Sequence, residues 1–119
     1  MLNSIILNGR LVMEIEVENY VKGKNAGVYA KFSIAVGRGY KDEEGEVVVD
    51  FIPCTAFNKT AEILSQYVNK GDMVTVSGRL NVDRYEDKEG NTKYSTYVSV
   101  VNVDLLPNSR ENDKKKSKK

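Results

Sequence analysis

The chain has 119 residues, 40% of them hydrophobic and 29% charged, with one cysteine, no histidine and no tryptophan. That length suits a single domain, and the composition excludes an internal disulfide, histidine-based catalysis and the usual zinc sites. The net charge of +1 hides an asymmetry: residues 1–108 hold 12 Lys/Arg against 15 Asp/Glu, and residues 109–119 hold 6 against 2.

No apolar run approaches the ~20 residues that a membrane helix needs. MLNSIILNGR has no cationic region followed by an apolar segment, so no secretory signal is read there. With one cysteine, these features lead to the expectation of a cytoplasmic protein without a membrane partner. SRENDKKKSKK has nothing apolar to bury, which divides the chain into a folded unit over 1–107 and a disordered basic tail over 108–119. Such a tail acts either as a solubilising end or as an arm that attracts phosphate.

In chain order, NSIILNGRLVMEIEVE (3–18) is β-rich, with Gly9 at a bulge or bend and clean alternation through MEIEVE. Residues 19–27 form a loop carrying Lys22 and Lys24. VYAKFSIAV (28–36) puts Val28, Ala30, Phe32, Ile34 and Val36 on one face and Tyr29, Lys31 and Ser33 on the other. GRGYKDEEGE (37–46) is a glycine-rich charged loop, with Tyr40 between Arg38 and Lys41. VVVDFIPCTAF (47–57) is a strand that is mostly apolar on both faces. The Ile52, Cys54, Ala56 phase suits a tight interior, which leaves Phe51 and Phe57 outside. Pro53 donates no ladder hydrogen bond, so a free or bulged edge is expected beside it.

Over 58–71 the period changes to helical, with Ala61, Leu64 and Val68 in one stripe, Asn58 as N-cap and Gly71 at the end. The strand over 72–86 assigns Val74, Val76, Leu80 and Val82 to the core and leaves Tyr85 on the polar face in line with Arg79 and next to Arg84. A turn at 87–91 leads to a last strand over 92–106, which Pro107 stops. Five β segments with one helix between the third and fourth is the order of the OB-fold, a five-stranded Greek-key barrel that binds oligonucleotides or oligosaccharides. Gly9 and Gly78 fit a sheet that curls sharply to close.

Two phenylalanines on a strand are ordinarily core residues. The coincidence of four rings (Tyr40, Phe51, Phe57 and Tyr85) with arginines, lysines and the barrel order turns that reading toward single-stranded nucleic acid. Unpaired bases stack on such rings while cations track the phosphates. The acidic clusters at 14–18, 42–46 and 83–87 read as a solvated strand face and two hairpin turns. None has a metal-loop spacing, so no cofactor, metal or catalytic residue is expected.

MLNSIILNGRL, FSIAVGR and the stretch from DFIPCTAFNKTAEIL to STYVSV, with KGD, GRL, RYED and EGN in order, resemble the bacterial and phage single-stranded-DNA-binding proteins. The resemblance implies sequence-independent binding and protection of single-stranded DNA in replication, recombination and repair. It puts base-stacking rings at Tyr40, Phe51, Phe57 and Tyr85 and phosphate contacts at Arg10, Arg38, Lys59, Arg79 and Arg84. Lys22, Lys24 and Lys41 are further loop candidates, and Tyr94 stacks or packs. A homo-oligomer is implied, a tetramer ahead of a dimer. Departures from the family are MEIEVEN after the first strand, Pro53 at a position that is often polar, and KKKSKK where cellular members carry an acidic tip. The last implies no docking of replication proteins by that tip, and a phage or mobile-element origin. An RNA-binding or primosome-type OB module is the alternative.

Overall fold

The computed structural model describes residues 1–105; the expected tail over 108–119 lies outside them. Six strands and one helix follow in the order β1 (Ile5–Leu11), β2 (Glu18–Lys22), β3 (Asn25–Lys41), β4 (Val47–Phe57), α1 (Asn58–Tyr67), β5 (Met73–Glu86) and β6 (Thr92–Leu105). The sheet runs β1-β5-β6-β4-β3-β2, and a second pairing of β1 with β3 closes it into a barrel. All pairs are antiparallel except β4 with β6, which is parallel over Cys54–Ala56. This is the OB-fold architecture, with the helix between the third and fourth long strands as expected.

Closure depends on two glycines. A Cβ on Gly9 would lie 2.6 Å from the Ala35 carbonyl oxygen, and one on Gly78 would collide with the Ser99 carbonyl. At Gly78 the β5–β6 register also shifts, from Ser77 opposite Asn102 to Gly78 opposite Val100, so Val101 is the extra residue of a bulge. The bulge sharpens the local twist and bends the sheet inward.

The interior is small. Leu11, Ile34, Leu64, Val74, Val76, Val98 and Cys54 are its largest fully buried side chains, and Phe32 is the one buried aromatic among the described residues. The helix covers one end with Ala61 and Leu64, and Val68 follows them into the core. Leu64 is wholly buried, a contribution of roughly 1.5–3 kcal/mol.

Several elements differ from those expected. The expected strand over 3–18 ends at Leu11. Leu11 N–H donates to the Asp72 carbonyl and its own carbonyl accepts from Gly71 N–H, so the chain leaves the sheet to pass the helix end. MEIEVE alternates because Ile15 packs on the core while Met13 and Val17 stay exposed, not because it pairs. The expected loop over 19–27 is a β2–β3 hairpin turning at Gly23 (φ 63°). β3 runs on to Lys41 with a bulge after Gly37, so Tyr40 stands on a strand and not in a loop.

Asn58 is not the N-cap. Phe57 occupies that position without a side-chain cap, and Asn58 begins the helix with φ 52°. The helix ends at Tyr67, four residues before Gly71, which serves the following turn with φ 94°. Leu80 and Val82 hold the inward phase but are exposed, at 41% and 55%. The β5–β6 hairpin has passed the rim of the barrel there, and nothing among the described residues covers that side.

Two hairpins close with one device. Asp42 Oδ1 accepts from Glu44 and Glu46 N–H, and Asp87 Oδ1 accepts from Glu89 and Asn91 N–H, all at 2.9 Å. Gly45 and Gly90 follow with φ 84° and 85°. The acidic clusters at 42–46 and 83–87 thus supply turn-forming groups through Asp42 and Asp87, as expected, whereas Asp83 lies within β5 opposite Ser95.

Burial raises the Cys54 thiol to about 12. Its share of stability is complete below the ordinary thiol range and falls as pH rises from there toward the folded value, because the unfolded thiol ionises first. At pH 8 a thiol reagent should leave folded Cys54 unmodified and react at once in denaturant; rapid native reaction would contradict the burial. Gly78→Ala should cost about 1–3 kcal/mol in urea denaturation through the Ser99 collision.

Candidate nucleic-acid interface

Paired residues on neighbouring strands present their side chains to the same side of the sheet. The registers therefore define one outer face. Lys31 of β3 lies opposite Thr55 of β4, Thr55 opposite Ser99 of β6, and Ser99 opposite Arg79 of β5. One row across four strands thus has a cation at each end. The next row pairs Tyr29 with Phe57, and a further row runs from Arg10 through Ala35 to Phe51. Phe51 and Phe57 are 63% and 45% exposed, whereas Cys54 and Ala56 between them are buried. β4 therefore divides its phases as its sequence predicts.

Pro53 faces Ser33 on β3, immediately before pairing with β6 begins at Cys54. Its missing N–H thus falls where β4 still has one neighbour. Beyond the rim, the β5–β6 hairpin continues as an arm. Asn81, Asp83 and Tyr85 share its groove side with Tyr97, Ser95 and Lys93. Tyr85 is half exposed, with Lys93 as its cross-strand neighbour.

Between arm and barrel lies a groove of about 1010 Å³, lined by Tyr20, Lys22, Tyr29, Lys31, Pro53, Thr55, Phe57, Asp83, Ser95 and Tyr97 among others. Tyr97 donates its hydroxyl proton to Asp83 Oδ2 at 3.1 Å. Burial first, then this bond, raises the Tyr97 pKa. The Asn81 Oδ1 atom is shielded and has no hydrogen-bond partner among the described residues.

The structure does not bring all the expected residues together. Arg38 holds Asp50 through both carboxylate oxygens, at 2.8 to 3.2 Å, and its Nη1 donates to the Tyr40 hydroxyl at 3.3 Å. Asp50 and Phe51 are successive strand residues and face opposite ways, so Arg38 and Tyr40 lie on the reverse of the hairpin from Phe51. Arg84 pairs with Tyr94 on the reverse of the arm from Tyr85. Arg10 is on the groove-face phase, and its Nη1 donates to the Gly71 carbonyl at 3.0 Å. Lys59 is exposed on the first turn of α1, two residues after Phe57. Lys22 lines the groove, while Lys24 and Lys41 sit exposed at hairpin ends.

Tyr20, Tyr29, Lys31 and Lys93 join the expected residues on this face. The alternation of 28–36 already put Tyr29 and Lys31 outside. Tyr20 and Lys93 needed the registers of β2 with β3 and of β5 with β6. Among the described residues, no group of three or more Cys, Asp or Glu side chains is placed to hold a metal.

An OB barrel whose open groove carries solvent-facing rings bordered by cations defines a class of oligonucleotide-binding module. The Single-strand binding protein family model matches residues 2–106. The chain is 40% identical over 111 residues to "Single-stranded DNA-binding protein 1" of Clostridium acetobutylicum, covering 92% of this chain and 98% of that one. It is 34% identical over 106 residues to the protein of that name from Streptococcus pyogenes, covering 89% and 79%. It is 38% identical over 113 residues to "Single-stranded DNA-binding protein" of Staphylococcus aureus, covering 95% and 70%. The chain belongs to the single-strand binding protein family.

The Arg38 guanidinium holds the Asp50 carboxyl below the ordinary carboxylate range, chiefly by hydrogen bonding. The pair contributes above that range and is lost as pH falls through the depressed value. An NMR titration should place Asp50 below the ordinary Asp midpoint of about 3.9, and Arg38→Gln should return it there. An ordinary Asp50 midpoint in the unmodified protein would contradict the bidentate pair.

Proposed function

We propose that the protein binds single-stranded DNA without sequence preference, and that the groove face is where it does so. The observation that carries this is the exposure of Phe51, Phe57 and Tyr85 on the same groove-facing phases as Lys31, Arg79 and Lys93. A nucleobase has an apolar face for each ring, and its phosphate suits each cation. Every base has such a face, so stacking tolerates any sequence. The names of the Clostridium and Staphylococcus relatives support the same reading.

Binding of this kind coats and protects unwound strands, the service that replication, recombination and repair require. We extend the proposal to self-association. Leu2, Ile6 and Val101 are 94%, 72% and 66% exposed, and Ile6 and Val101 lie near the β1–β5–β6 seam. Several barrels together offer a strand a longer path than one. Arg38, Tyr40, Arg84 and Tyr94 then serve where a strand passes round the hairpins, off the main face.

Anisotropy titration with a labelled thymidine oligomer tests the reading. Affinity should fall linearly on log–log axes with salt, with a slope near −0.7 per phosphate neutralised. Arg79→Ala should flatten that slope by about one such step. Phe57→Ala or Tyr85→Ala should weaken binding by about 1–3 kcal/mol each, without loss of the circular dichroism of the fold. Unchanged affinity in both ring variants would refute the groove assignment. A matched RNA oligomer that bound more tightly would transfer the function to RNA.

A further inference from the structure

We infer that Tyr20 and Tyr29, with Phe57, form a base-binding corner that extends the stacking track beyond Phe57 and turns the bound strand there. The inference rests on the single-strand reading of the groove and deepens it.

The corner is built from three elements. β2 and β3 pair Glu18 with Tyr29 and Tyr20 with Gly27, which sets both tyrosines on the groove face. The Tyr20 ring centroid lies 6.2 Å from that of Tyr29 and 6.2 Å from that of Phe57. Tyr20 and Phe57 meet edge to face at 86°. A base lying flat on Tyr20 is therefore nearly perpendicular to one lying flat on Phe57. A strand using both rings changes direction between them.

The corner is held in place. Asn58 Oδ1 accepts from Val28 N–H at 3.2 Å, and Asn58 Nδ2 approaches the Tyr20 hydroxyl at 3.5 Å. A Cβ on Gly27 would collide with Asn58 Oδ1 and come within 2.8 Å of the Tyr20 hydroxyl, so a side chain there would displace both from this seat. The left-handed φ of Asn58 is a conformation that asparagine tolerates better than most residues. Positions that read as loop and helix cap thus serve to fix a ring before any ligand arrives, which limits the ordering cost of binding.

Two lysines are placed to meet phosphates at the corner. Lys22 and Lys31 border the same groove. Two carboxylates are tied to phenols beside it: Glu18 raises the Tyr29 pKa by hydrogen bonding first and charge second, and Asp83 accepts from Tyr97. Tyr29 presents its phenol ring to a base. The groove is continuous from this corner to the arm, so its occupant is the same strand that stacks on Phe57.

The chain lacks tryptophan, so one introduced indole reports its own site. Tyr20→Trp and Tyr29→Trp proteins, with Phe51→Trp as reference, are titrated with a thymidine oligomer while indole emission is read. Quenching in a corner variant alongside the reference is the expected result. Quenching in the reference alone overturns the corner and leaves the groove reading intact. No quenching in any of the three, with no binding by anisotropy, overturns both. As a second measurement, Tyr20→Leu should lower oligomer affinity on the order of tenfold, the loss of one base stack. Unchanged affinity in a Tyr20→Leu protein with a normal melting curve also overturns the corner.

Discussion

A short sheet that closes on itself encloses very little space, and the rest of this molecule answers to that constraint. The interior takes branched and small side chains and a single ring, Phe32. Strand geometry sends every second side chain outward. β4 carries large apolar residues on both phases, so closure forces Phe51 and Phe57 into solvent. A monomeric protein gains nothing by that exposure. It becomes useful when the missing neighbour is a nucleobase. Gly9 and Gly78 are part of the same constraint, because the strands meet there at distances that no side chain allows.

Electrostatics completes the face. Residues 1–108 carry more carboxylates than cations, which would repel a polyanion if the charges were evenly spread. They are not. Asp42 and Asp87 hold turn amides, Glu14 accepts from the Lys70 amide, Asp50 is engaged by Arg38 and Asp83 by Tyr97. Lys31, Arg79 and Lys93 meanwhile stand on the groove side of their strands. These acidic groups serve local structure, and of them Asp83 alone lines the groove, among its cations and rings. Arg38 is the exception among the expected phosphate contacts, since its charge is already matched.

Much of this was legible in the sequence, because a period of two survives without knowledge of partners. The phases of β4 and of the first half of β5, the two bending glycines and both acidic turns could be read directly. What escaped reading was whatever depended on a neighbour. MEIEVE alternates like a strand yet has no ladder, since packing Ile15 alone on the core yields the same pattern. Leu80 and Val82 follow the core phase, but phase cannot say where the barrel ends. Asn58 looked like a cap because its type suits one; its carbonyl serves Val28 instead. Tyr40 and Phe51 looked like companions in sequence, and the Arg38–Asp50 pair shows that they occupy opposite faces. Tyr20 was invisible as a site residue until its register with β3 was known.

The central claim is that the outward phase of β4, continued onto one side of the arm, is the DNA face. Photo-cross-linking with an oligomer carrying 5-iododeoxyuridine, mapped by peptide mass spectrometry, tests it most directly. Cross-links concentrated at Phe51, Phe57 and Tyr85 are the predicted result. Cross-links concentrated at Ile6, Leu80, Val82 and Tyr94, with those three rings untouched, would contradict it.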